Sequence, residues 1–298
     1  MDFGEWYAQI TRRVDLRIRD RVQTLMQGMH RSTFRGRGED FDFFQQYTVG
    51  EETSHIDWKA SERLEGGFLV RKLREERVLE VWMVADLSAS MFIGFSEEKS
   101  KHRLLLDILA ILGRSIIRQQ DLMGFIGFDS TLRTVLSPFR SEKTLVNLLQ
   151  TIWDFQPAVG EKTSLLPVLQ FFEARKGAGL PNKKQLIILI SDFETDEDWI
   201  PVVQRIGAHN PIFPIFLEER IPESLISSVG VLTYRDIESG EFGKVDAKAW
   251  LNLVEDQKRR EQAYCLEQFQ ASGIKALFLS RETFSVDELI QLLEEQRF

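Results

Sequence analysis

The stretch VLEVWMVADLSAS, residues 78–90, decides how this chain is read. Its VWMVA core is an unbroken apolar run of the length expected for a strand buried on both faces. The run stops at an acid and two hydroxyls, Asp86, Ser88 and Ser90, in the spacing D-x-S-x-S. In an open α/β sheet a central strand ends at the crevice outside the carboxyl ends of the strands, where ligands bind. These three side chains are therefore the first candidates for a site.

Downstream, Ser96 opens a helix whose apolar face is Leu105, Ile108, Leu109, Leu112 and Ile116. LMGFIGF, residues 122–128, reads as a second buried strand, and 131–136 return along it as an edge hairpin turning at Asp129 and Ser130. Helices over 145–155 and 163–173 enclose a loop holding Pro157 and Gly160. LIILI, residues 186–190, is a third buried strand, and it too runs into acids, Asp192 first. A helix at 199–208, a strand at 212–217, a hairpin centred on Gly240, a helix over 246–269 and a strand at 274–279 follow. A last helix over 285–295 is opened by the capping box Ser285 and Glu288. Strands alternating with helices define an α/β fold, a mostly parallel sheet with helices on both faces.

Upstream of residue 76 the pattern is less regular. Trp6, Ile10, Val14, Ile18, Val22 and Met26 recur near a four-residue period, which predicts an amphipathic helix over 3–29. Asp15 and Asp20 interrupt its arginines, so the face fits docking on the protein better than an anionic membrane surface. Residues 30–63 carry Gly, charge and aromatics without periodicity and are expected to be irregular, while 68–74 read as a strand leading toward the central one. The expected division is an extension at 1–76, with its helix and a β-rich part, packed on a main domain at 77–298 that holds a hairpin insertion near 229–246.

Composition excludes several classes. A formal charge of -8 argues against a general nucleic-acid binder. One cysteine, Cys265, rules out an internal disulfide and points to a reduced, cytoplasmic setting, and four scattered histidines give no zinc-ligand spacing. No run approaches the roughly 18 apolar residues of a membrane span. Gly36 and Gly38 lack the strand before and the Gly-Lys-Ser/Thr after that a phosphate loop requires.

Asp86, Ser88 and Ser90 offer hard oxygens, which suit Mg²⁺ or Mn²⁺, but Mg²⁺ wants six of them. Thr163, after the Gly160 loop, and Asp192, at the end of LIILI, are placed by the fold to add two more. Hydroxyls are neutral, so such a set leaves the ion able to attract a carboxylate from a protein partner. Each residue has a plainer reading. Asp86, Ser88 and Ser90 could cap the following helix, Thr163 and Asp192 could cap theirs, and Ser164 is the alternative hydroxyl. Asp57 and Trp58 read as structural, an acid paired with an arginine such as Arg63 and an aromatic plug. Cys265 reads as an inert helix residue.

The run V-A-D-L-S-A-S-M with Thr163 and Asp192 downstream resembles the metal-ion-dependent adhesion site of von Willebrand factor A domains, over about residues 79–279. More narrowly, Asp40-Phe41, Tyr47, Gly50, Ile56-Asp57-Trp58, Ala60-Ser61 and Arg63 ahead of that run resemble the bacterial domain of unknown function 58 family. The chain departs from that pattern at Gln45, Glu51, His55 and Lys162. The resemblance implies a von Willebrand factor A-like fold and a domain that binds a divalent cation and a protein ligand. It also implies work beside a MoxR-type AAA+ ATPase in assembly or maturation.

Two other classes fit less well. A phosphotransfer or hydrolytic enzyme using Asp86 would want a second acid two residues on, where Ser88 stands. A dinucleotide binder would want G-x-G-x-x-G where D-L-S-A-S-M follows the first strand.

Overall fold

The computed structural model describes residues 1–17, 40–48, 56–62, 67–74, 78–92, 100–158, 163–177, 185–195, 198–218, 231–235, 242–281 and 284. In chain order they form α1 (Phe3–Arg17), β1 (Asp40–Gln46), the short α2 (Trp58–Ser61), β2 (Leu69–Arg74), β3 (Glu80–Asp86) and a 3₁₀ turn (Ala89–Phe92). Then come α3 (Lys101–Arg118), β4 (Leu122–Phe128), β5 (Leu132–Phe139), α4 (Glu142–Trp153), α5 (Leu166–Gly177) and β6 (Gln185–Ser191). The order finishes with α6 (Trp199–Gly207), β7 (Ile212–Glu218), β8 (Val231–Arg235), β9 (Phe242–Asp246), α7 (Ala247–Ala271) and β10 (Leu277–Ser280).

The apolar run of β3 lies in the interior of a six-stranded sheet ordered β10-β7-β6-β3-β4-β5. Every neighbouring pair is parallel except β4 with β5. Successive side chains of a strand point to opposite faces, so Val81, Met83 and Ala85 serve one core and Trp82 and Val84 the other. The first core takes Leu105, Ile108 and Leu109 of α3, Leu145 and Leu149 of α4, and Trp6 and Ile10 of α1. The second takes Val168 and Leu169 of α5, Val203 and Ile206 of α6, and Phe269 of α7. Burying each such Val, Leu, Ile or Phe side chain contributes about 1.5–3 kcal/mol, which is why both faces must be covered by helices.

Two glycines in β4 are there for space. A Cβ on Gly124 would lie 2.6 Å from the Trp82 ring, and one on Gly127 would lie 2.5 Å from Leu87 Cδ1. Strand β5, the antiparallel edge, alternates between half-buried and exposed positions, as expected where only one face is covered. The expected hairpin turning at Asp129 and Ser130 is present: Asp129 Oδ1 accepts from the Thr131 amide at 2.9 Å.

Several expectations need correction. Residues 40–46 are not irregular: they pair antiparallel with β2, in a sheet separate from the main one, with a register shift between Phe41 and Phe43. That bulge breaks the alternation by which a strand is recognised. Trp58 is no plug, being 63% exposed with its edge against Phe68 at 5.5 Å. Asp57 is a helix cap, accepting from the Ala60 amide at 2.9 Å, and Arg63 lies outside the described residues.

Helix α3 is capped by Ser100, whose hydroxyl accepts from the Arg103 amide at 3.2 Å, whereas Ser96 lies outside the described residues. Helix α5 starts at Leu166 rather than Thr163. Pro167 fits a first helical turn, where its missing amide has no partner to lose. The helix expected over 3–29 is described only to Arg17, and the expected helix at 285–295 with its capping box lies outside the described residues.

Candidate functional site

Strands β3 and β6 are neighbours, but the chain leaves them in opposite directions. From β3 it passes through α3 to β4 on one side, and from β6 through α6 to β7 on the other, with α3 and α6 on opposite faces. Such a divergence opens a crevice at the carboxyl ends of the two strands. Asp86 ends β3, and Ser191 and Asp192 stand at the end of β6.

Asp86 is wholly buried. Its Oδ1 accepts from the Ser88 amide at 2.8 Å and its Oδ2 from the Ser191 hydroxyl at 2.5 Å. Both donors are uncharged. Burial, reinforced by the Asp192 carboxylate, pushes the acid of Asp86 up to about 7, although the bonds from Ser191 and Ser88 pull the other way. Ser88 and Ser90 present their hydroxyls to each other, Oγ to Oγ at 3.0 Å. The reading of these residues as caps of the long helix is set aside, because Ser100 caps it.

Asp192 carries a partner that the sequence reading missed. Lys101 Nζ donates to Asp192 Oδ2 at 2.6 Å, with side chains only 3% and 2% exposed, and lies 3.5 Å from Glu194 Oε1. No spacing rule pairs residues 101 and 192, so the sequence held no signal for this contact. Phe193, between the two acids, has φ 55, a left-handed conformation that costs a non-glycine residue roughly 1–2 kcal/mol. Its ring lies 4.3 Å from those of both Trp199 and Phe216, and its amide donates to Ser191 Oγ at 2.8 Å. The turn is thus locked from both sides.

Ser191 is the last residue of β6, and the sequence carried no signal for its role. Because it accepts from the Phe193 amide, its own proton is directed to Asp86.

Thr163 is 5% exposed and precedes α5 in a loop tied at two points. The Ser164 amide donates to the Asp129 carbonyl at 2.9 Å, just beyond β4, and the Thr195 hydroxyl donates to the Thr163 carbonyl at 2.7 Å, just beyond β6. The loop therefore spans the strand ends on either side of β3. Ser164, the alternative hydroxyl, accepts from the Leu166 amide at 3.3 Å.

The donor types at this rim, two carboxylates and several hydroxyls, fit a hard divalent cation rather than a thiol- or imidazole-seeking one. Among the described residues no group of three His, Cys, Asp or Glu side chains gathers to hold a metal. Cys265 is buried in α7, and no helix of the described residues is long and apolar enough to cross a membrane.

The sheet with its divergent strands and helices on both faces is a doubly wound α/β domain, in keeping with the von Willebrand factor A-like fold expected. The chain belongs to the family described as "Protein of unknown function DUF58", which matches residues 44–263. An uncharacterised protein of Mycobacterium tuberculosis is 23% identical over 239 residues, covering 78% of this chain and 71% of its own length. Among solved structures, an aerotolerance-related membrane protein from Bacteroides fragilis aligns with TM-score 0.47 and 14% identity over 73% of this chain and 98% of its own. The von Willebrand factor A domain of SpRpn10 aligns with TM-score 0.36 and 18% identity over 50% and 79%.

Proposed function

We propose that this chain is a non-enzymatic, divalent-metal-dependent protein-binding module. Asp86, Ser88, Ser90, Thr163 and Asp192 hold Mg²⁺ or Mn²⁺, and the ion accepts a carboxylate from a protein partner. The observation that carries this reading is the wholly buried Asp86 carboxylate, bonded only to uncharged donors, beside the Ser88–Ser90 hydroxyl pair at the β3–β6 crevice. A buried carboxylate without a counter-charge is costly, and a bound divalent ion supplies that charge together with a coordination position for an outside oxygen.

The chain's own residues orient the site. Ser191 aims Asp86, the locked Phe193 turn presents Asp192, and Thr195 holds the loop that carries Thr163. Ser88 stands where a phosphotransfer site would want a second acid, so no reaction step is assigned to these residues. In this reading residues 77–298 form the binding domain, with a hairpin insertion near 229–246, and residues 1–76 an extension packed on it. The protein works in the cytoplasm, as its single cysteine suggests, with a MoxR-type AAA+ ATPase as its partner, as the family resemblance suggests.

Calorimetric titration with Mg²⁺ and with Mn²⁺ tests the site. Wild-type protein should bind the ion, and Asp86→Asn and Ser88→Ala should lose it while keeping their circular dichroism. Heats unchanged in both variants would reject the assignment. Binding of a purified MoxR-type ATPase should then disappear when a chelator is added, and chelator-resistant binding would separate the partner from the metal.

A further inference from the structure

Lys101 occupies a position that nothing local favours. It is the first residue of α3, next to the Ser100 cap, where the helix dipole is positive and opposes a cation. Its side chain is only 3% exposed, so water does not compensate it. Acids hold it instead. Nζ is 2.6 Å from Asp192 Oδ2 and 3.5 Å from Glu194 Oε1, and those side chains are 2% and 49% exposed. The ammonium therefore stands between a buried carboxylate assigned to the metal and a half-exposed carboxylate that is not.

A divalent ion and an ammonium cannot both take Asp192 at contact distance without strong mutual repulsion, least of all out of water. We propose that Lys101 is an internal cation that competes with the metal for Asp192, and that metal binding is coupled to transfer of the ammonium from Asp192 to Glu194. This rests on the metal-module reading above. The same side chain in two positions makes a two-state element. With Lys101 on Asp192 the rim is partly neutralised and holds the metal weakly; with Lys101 on Glu194 the Asp192 carboxylate is released to join Asp86 on the ion. A partner carboxylate that binds the ion favours the second state, so metal and partner load together.

The test compares Mn²⁺ affinity of the wild type, Lys101→Met and Glu194→Gln by calorimetry, with thermal melts in the presence and absence of Mn²⁺. Lys101→Met should bind Mn²⁺ about fivefold or more tightly than wild type, the lower end of ordinary coupling between sites. Its metal-free melting temperature should drop while its Mn²⁺-induced rise exceeds that of the wild type. Glu194→Gln alters a half-exposed position and should fold normally, yet bind Mn²⁺ more weakly, because the displaced ammonium loses the carboxylate that lies 3.5 Å from it.

Affinity for Mn²⁺ that is equal or weaker in Lys101→Met would overturn the competition. So would unchanged affinity in Glu194→Gln, which carries the test alone if Lys101→Met does not fold without metal. Wild-type protein that takes up no Mn²⁺ would remove the metal-module reading itself. Wild-type binding with both variants unaltered would remove only the role of Lys101.

Discussion

The Ser191 hydroxyl donates to Asp86 Oδ2 at 2.5 Å, joining the ends of two neighbouring strands through a carboxylate wholly out of water. The bond is charge-assisted whenever Asp86 is ionised, and Ser191 Oγ in turn accepts from the Phe193 amide at 2.8 Å. Ser191→Ala deletes both contacts and leaves a buried acid one donor short. It should lower the unfolding free energy by about 2 kcal/mol at pH 8, read from urea denaturation. A loss near zero would mean that Asp86 is held by some other group.

Thr163 separates a structural from a ligand role cleanly, because the bond from the Thr195 hydroxyl goes to its backbone carbonyl and survives any side-chain change. Thr163→Val keeps the shape and removes the hydroxyl, and it should weaken Mn²⁺ binding about tenfold or more; Thr163→Ser should stay near wild type. Calorimetry on the pair decides the matter. Equal affinities in Val and Ser variants would take Thr163 out of the ligand set.

His102 should make stability depend on pH below neutrality. Burial, aided by the charge of Arg103, lowers its imidazole from 6.5 to about 4, although the Ile152 carbonyl at 3.0 Å opposes the shift. The ring also stacks on Phe92 with centroids 4.1 Å apart. Between those two values the unfolded chain binds a proton that the folded chain does not. Stability therefore falls as pH is lowered through the window, by at most about 1.4 kcal/mol per unit and about 3 kcal/mol in all. His102→Gln should flatten the curve over that range when unfolding is followed in urea at several pH values, and parallel curves would exclude His102 as the source.

Asp107 ties the N-terminal helix to the domain. Its Oδ1 accepts from Trp6 Nε1 at 2.7 Å, its Oδ2 from the Arg281 guanidinium, and the side chain is nearly buried. Arg103 lies over the rings of Trp6 and Trp153 at 5.0 and 4.2 Å beside it. Asp107→Asn should cost about 2 kcal/mol and loosen α1, so that trypsin cuts at Arg12 faster than in the wild type. An unchanged cleavage rate would show that apolar contacts alone fasten the helix.

The parts legible in sequence were those where burial imposes a residue pattern. VWMVA, LMGFIGF and LIILI had to be apolar throughout because helices cover both faces, and each run was found within a residue or two of its strand. Asp86 stands out as an acid directly after such a run, Ser88 and Ser90 follow it at alternate positions, and Asp192 comes one hydroxyl past LIILI, so all four fall at strand ends. Strand β1 was missed because its register shift disrupts alternation, so only the partner strand reveals it. Trp58 was misjudged because nothing local states how much of a large ring remains in water.

The sequence by itself determined the layered α/β architecture, the crevice end of the sheet and the oxygen-bearing residues gathered there, since all follow from hydrophobic periodicity and the chemistry of strand ends. Only the tertiary structure decided which groups meet across long separations. Ser191 faces Asp86, Thr195 clasps the Thr163 loop, and Lys101 reaches Asp192. Such pairings depend on strand order and helix placement, which arise from packing the whole chain and leave no periodic trace in any one segment.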